Sequence, residues 1–216
     1  MIWTYLSGTY NTVIMKDVIL QNQVRNGALL QRIMLYLSEN IGNPISAKGI
    51  SDFLTSSGHR ASPDTIDSYL DMLENAFILY RADRYDIRGK SLLKTQAKYY
   101  IVDSGLRNEL LGFGNTDFGR VYENVVYFEL LRRGYRVTIG KVDNLEVDFI
   151  ASRMDRVIYY QVAATLSDPA TLERELRPLL GIRDNYEKVI LSMDVYPHET
   201  NDHGIRLQNI VTFLLE

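Results

Sequence analysis

The sequence predicts a mixed α/β chain in two domains: three helices with a two-stranded ribbon, then an αβββαβ unit. Three observations predict this. Residues 28–79 carry three apolar stripes at helical spacing, each bounded by a cap or a stop. Residues 135–163 carry three short strand-like runs, YRVTIG, LEVDFIA and VIYYQVA. Between the two regions lies GFGNTDFG at 112–119, whose Gly112, Gly114 and Gly119 mark a boundary.

Residues 1–20 form a mixed lead-in with no periodicity, which reads as the continuation of something upstream. In ALLQRIMLYLSENIG the apolar positions 29, 30, 33, 34 and 37 share a helix face, and Ile41-Gly42-Asn43-Pro44 stops it. Ser46 caps a second helix, ended at Gly58. Ser62 caps a third with Pro63 at its first position, and its stripe runs through 66, 69, 70, 73 and 77. FILYRADRYDI and KYYIVD then flank a basic hairpin-like segment, RGKSLLKTQA, and Asp103–Leu111 closes the region as a short helix. Three helices followed by a ribbon form a winged-helix pattern over residues 21–112.

Residues 113–216 open with a helix at RVYENVVYFELLRRG, whose apolar positions are 121, 125, 126, 128 and 130. The three strands follow. Asp168 then caps a helix ending at Gly181, KVILSMD is a buried strand, GIRLQN a short one and IVTFLLE a last helix. That order is the core order of restriction-endonuclease-like folds.

Composition narrows the function. The 216 residues hold no Cys, which excludes disulfides and Cys-zinc sites and fits a reducing cytoplasm. No apolar run reaches the roughly 18 residues of a membrane span, so no membrane partner is expected. Net charge is −3, and no global field draws nucleic acid. Residues 1–112 carry 12 Lys/Arg against 11 Asp/Glu, and residues 113–216 carry 12 against 16.

Several stretches together resemble a known group: SGTYNTVIMKDVI, ENIGNPIS, DRYDIRGKSLLKTQAKYYIVDSGLRN, GRVYENVVYFELLRRGYRVTIGK, EVDFIA, YYQVA and DNYEKVILSMD. Over nearly its whole length the chain resembles the C-terminal region of a large family of bacterial and archaeal AAA+-type ATPases, a winged helix followed by a domain of unknown function. The resemblance implies a PD-(D/E)XK nuclease-like second domain. It also implies an ATPase domain upstream as partner, so that ATP belongs there and not to this chain.

Gly89-Lys90-Ser91 imitates the end of a phosphate loop, but Arg84 stands where that loop needs its first glycine. No nucleotide site is expected here. PD-(D/E)XK nucleases put an Asp on one strand and Glu-x-Lys on the next. Asp148 is present, while Gln161 and Ala163 replace the Glu and the Lys. Glu123 matches a helix Glu that many such enzymes use. Glu123, Asp148 and Gln161 thus read as a vestigial site. Glu123 and Asp148 could hold one weak Mg²⁺, and no cofactor is required. Lys141 is the candidate for a displaced lysine.

The third helix carries Asp64, Asp67, Asp71 and Glu74 with no Lys or Arg, which phosphates would repel. The ribbon carries Arg81, Arg84, Arg88, Lys90, Lys94 and Lys98 against Asp83 and Asp86. Any nucleic-acid contact is expected there. His59, His198 and His203 are too scattered for a metal triad, and the last two read as loop residues. The expected function is a non-catalytic interaction or regulatory region with an unnamed protein partner. The alternative is an Mg-dependent DNA nuclease with a displaced lysine.

Overall fold

The computed structural model describes residues 26–112, 117–196 and 200–216, with residues 8, 12, 18–22 and 24 before them. Most of the expected lead-in, and His198, lie outside the described residues. The chain is mixed α/β, and the described residues fall into two compact units. One takes those within Met1–Arg81 and Gln96–Thr116, the other those within Ala82–Thr95 and Asp117–Glu216.

In the first unit, helices α1 (Gly27–Glu39), α2 (Ala47–Ser56) and α3 (Pro63–Asn75) each begin behind a side-chain cap. Asn26, Ser46 and Ser62 accept from the N–H groups of Leu29, Gly49 and Thr65. Each cap satisfies a helix N–H that has no partner within its own helix. Leu30, Ile33, Ile50, Leu54, Ile66 and Leu73 are buried where the three stripes meet. Phe77 departs from the expected stripe and is 70% exposed. It stands at φ 56 just past α3, where its N–H donates to Glu74 and that of Ile78 to Leu73. This six-residue stop normally uses glycine.

Strands β1 (Leu79–Asp86) and β2 (Ser91–Ile101) form the ribbon. β2 takes in Ser91–Ala97, which the sequence had marked only as a hairpin-like link. Ile45 and Ala97 exchange backbone hydrogen bonds at 2.8 and 2.9 Å. Helix α4 (Ser104–Leu111) closes the unit. Its buried Arg107 donates from Nε to the carbonyl of Ser38 at 3.0 Å.

The second unit holds α5 (Phe118–Arg132), β3 (Arg136–Val142), β4 (Leu145–Arg153), β5 (Arg156–Val162), α6 (Pro169–Leu180), β6 (Glu187–Ser192), β7 (Thr200–Asp202), β8 (Ile205–Asn209) and α7 (Ile210–Leu215). Its sheet runs β2-β1-β3-β4-β5-β6-β8-β7, the ribbon entering by the strand halves next to its turn. The expected boundary at 112/113 gave the whole ribbon to the first domain. Residues 82–95 instead belong to the second unit, because β1 pairs in parallel with β3, Arg84 opposite Ile139 and Asp86 opposite Lys141.

Antiparallel β3–β4–β5 continues through parallel β6 and β8, the register setting Phe149 against Tyr160 and Tyr160 against Val189. One sheet face packs on α5 and α7, with Tyr127 on Phe149 and Tyr160 on Phe213 at ring separations of 5.9 and 5.7 Å. The other carries Ile150, Tyr159, Ile190 and Leu207 beneath Leu176 and Leu179 of α6. In α5 the buried positions are 124, 126, 127, 129 and 130, a different stripe from the expected one. Both the sheet and α7 press on that helix, so its polar Asn124 and Glu129 are buried too. No helix among the described residues is long and apolar enough to cross a membrane.

Candidate functional site

Residues 148 and 161 project to the same side of the sheet as Ile150 and Tyr159, because side chains alternate along each strand. There α5, β4, β5 and α6 border a cleft of about 400 Å³. It is lined by Glu123, Glu146, Asp148, Gln161, Arg174 and Glu175, among others. The three expected site residues Glu123, Asp148 and Gln161 are therefore brought together. Lys141 is not among the lining residues; it stands opposite Glu146 in the β3–β4 register.

The hydrogen bonds decide what this cluster can do. Asp148 Oδ2 accepts the backbone N–H of Val162 at 2.9 Å. The Gln161 side chain works in both directions. Its Oε1 accepts the backbone N–H of Asp148 at 3.2 Å, and its Nε2 donates to Glu175 Oε2 at 2.9 Å. The other Glu175 oxygen accepts from Nε and Nη2 of Arg174 at 3.0 and 2.8 Å. Gln161 and Glu175 are both 7% exposed, so these are buried bonds that are costly to break. The amide accepts on one side and donates on the other; an ionised carboxylate at 161 has no donor to give.

Ala163 answers the other half of the expected motif. It is 6% exposed, packs in the apolar cluster with Leu166 and Leu176, and does not line the cleft. A lysine there would have to bury its ammonium. Among the described residues no three His, Cys, Asp or Glu side chains are grouped so as to hold a metal ion. Of the carboxylates that line the cleft, Glu175 is committed on both oxygens. Glu123 and Asp148, the pair expected to hold a weak Mg²⁺, both line the cleft.

Sequence reasoning missed Glu175 and Arg174. The signal was present: Glu175 lies three residues after Leu172 and four before Leu179, on the apolar side of α6, where an acid needs a buried partner. A test follows directly. Gln161→Glu should cost about 2 kcal/mol at neutral pH, because two carboxylates would face each other and a buried donor would be gone. The new group resists ionisation when folded and ionises freely when unfolded. The loss should thus shrink as pH falls through the carboxylate range, in urea melts at pH 7.5 and 4.5. A loss independent of pH would refute the Gln161–Glu175 pairing.

The ribbon is less cationic at its surface than its composition implies. Arg84 is half-buried and lies 3.9 Å from Glu146, Arg88 pairs with Asp143 at 2.5 Å, and Lys98 is 2% exposed. Arg81, Lys90 and Lys94 are exposed. At the ribbon turn Asp86 Oδ1 accepts the N–H groups of Arg88 and Gly89 at 3.0 and 2.9 Å, which places a carboxylate where a phosphate loop would hold its phosphate. His203 sits in the β7–β8 turn at φ 54.

Comparison with known proteins gives a family model described as a domain of unknown function (DUF8612), matching residues 2–117. A protein of Haemophilus influenzae, described as uncharacterized, is 41% identical over 213 residues, covering 99% of this chain and 52% of its own. One from Methanocaldococcus jannaschii, likewise described as uncharacterized, is 28% identical over 190 residues, covering 86% of this chain and 39% of its own. The chain thus spans about half, or less, of the length of the curated relatives it matches. No solved structure matches.

Proposed function

The chain belongs to the DUF8612 family, and from that premise we propose that it is a non-catalytic interaction region. On this reading the first unit is a winged helix. The second has a restriction-endonuclease-like framework whose nuclease site has become structural. The observation that carries it is Gln161, bonded in one direction to Asp148 and in the other to buried Glu175. An ancestral ligand position has turned into a strand-to-helix tie. Removing a charge-stabilising group or a general acid–base each costs about 10²–10⁴ in rate. The parent protein is read as an AAA+-type ATPase, with ATP bound by a domain outside this chain. The greater length of the relatives accommodates one. Nucleic acid is contacted through the exposed ribbon cations Lys90 and Lys94. The acidic outer face of α3, with Asp64, Asp67 and Asp71 exposed, is turned against it.

The chain should leave supercoiled plasmid intact with Mn²⁺ or Mg²⁺ over hours. Nicking that Asp148→Ala abolishes would overturn the reading in favour of a nuclease with a displaced lysine, Lys141 being the first to replace.

A further inference from the structure

A second cleft lies on the same sheet face as the Gln161 cluster, at the opposite ends of β4 and β5, and no residue of α6 lines it. It measures about 970 Å³ and is bounded on one side by the ribbon turn and on the other by residues 184–186. Its floor is apolar, with Ile150 and Val157. Three tyrosines line it: Tyr85, Tyr159 and Tyr186. The Tyr159 hydroxyl donates to Asp184 Oδ2 at 2.6 Å, and the same carboxylate accepts the N–H of Tyr186 on its other oxygen at 3.1 Å. Asp184 thereby fixes one ring and the backbone of the next, with the two ring centroids 6.2 Å apart. Burial and that bond hold the Tyr159 hydroxyl well above the ordinary tyrosine range, so it remains a donor.

Charge selects the ligand. Lys90 and Arg136 line the cleft and are exposed, and neither has an ion-pair partner among the described residues. The second unit as a whole has 16 Lys/Arg against 18 Asp/Glu, so these two cations act locally and not through a global field. The exposed Tyr186 ring and half-buried Tyr85, over an apolar floor with two cations at the lip, match a planar base joined to a phosphate. Asn185 adds an amide able to donate and accept at a base edge. A duplex keeps its bases stacked inside, whereas a single strand can turn one into such a space.

We propose that this cleft binds single-stranded nucleic acid, one base against the tyrosines and its phosphates on Lys90 and Arg136. The proposal rests on the reading of the ribbon as the nucleic-acid contact and adds the class of substrate.

The test uses the whole chain, a short fluorescein-labelled oligothymidine and a duplex of equal length, followed by anisotropy at low salt. The oligothymidine should bind more tightly than the duplex. Tyr186→Ala, at a side chain 48% exposed, should weaken it about tenfold while Tyr186→Phe restores it. Arg136→Ala should lower the salt slope by roughly 0.7. Lys94→Glu probes the ribbon apart from the cleft, because Lys94 is not among the cleft's lining residues. If Lys94→Glu removes binding and Tyr186→Ala does not, the cleft is refuted and the ribbon reading stands. If Tyr186→Ala weakens only the single strand while Lys94→Glu is silent, the cleft stands and the ribbon contact narrows to Lys90. No binding of either probe by the wild-type chain refutes both.

Discussion

Gly140→Val should lower the unfolding free energy by about 3 kcal/mol, with a drop in Tm on the order of 10 °C. Gly140 lies in β3 at the irregularity where the β3–β4 register shifts. A Cβ built there would stand 2.9 Å from Val147 Cβ, 3.1 Å from Ile87 Cδ1 and 3.2 Å from Ile150 Cγ1. The first distance is below what real Cβ atoms tolerate, and Val147 is a buried, β-branched strand residue that cannot swing away. Relief would require β3 to move from β4, whose pairing holds the sheet, or Ile150 to leave the core. Gly140→Ala should cost about half as much. Thermal melts within a degree of the wild type would show that the strand yields freely there.

Glu129→Ala should cost about 3 kcal/mol near neutral pH. Glu129 is 8% exposed and accepts Arg132 Nε and Nη2 at 2.7 and 2.6 Å and Arg133 Nε at 2.7 Å. Arg133 also lies over the Phe213 ring at 4.1 Å and donates to the Phe213 carbonyl, joining α5 to α7. Removing the acid leaves a half-buried guanidinium against an aromatic ring without its counter-charge. Solvent around Arg132 keeps the cost below that of a fully buried pair. Hydrogen bonds from Arg132, then from Arg133, hold the Glu129 carboxyl below its ordinary range against the opposing effect of burial. Its contribution is thus complete above the unfolded value of about 4.3 and lost as pH falls through the folded one. The gap between wild type and variant should narrow in urea melts as pH falls below about 4, and close only once pH lies below the folded value. A constant difference down to pH 3 would assign the loss to packing alone.

Much of the framework was legible because it is encoded locally. Ser46, Ser62 with Pro63, and Asp168 each announced a helix start to the residue. Asp148 and Gln161 could be placed on neighbouring strands from alternation alone, and they do meet. What the sequence withheld is long-range or two-sided. The parallel pairing of β1 with β3 joins residues more than fifty apart, and nothing in either strand names the other. Leu92 and Lys94 of β2 are exposed, so that strand half shows no buried face to betray it. The α5 stripe was misread because two neighbours bury it from different sides. At the site, Gln161 looked like a weakened ligand. Its meaning came only with Glu175, fourteen residues on, which supplies the acceptor that an amide satisfies and a carboxylate would repel.

The parallel pairing of β1 with β3 also governs how this protein can be cut. The second unit is discontinuous in sequence, its first strand detached from the rest by the residues that return to the first unit. A fragment beginning at residue 113 would keep α5 and seven-residue β3 but lose the strand that covers β3. It would present a bare row of amides and carbonyls at that edge, open to pairing with a second molecule. The ribbon is therefore shared property, and expression, domain exchange or recombination that treats residue 112 as a clean joint would separate a sheet from its own border.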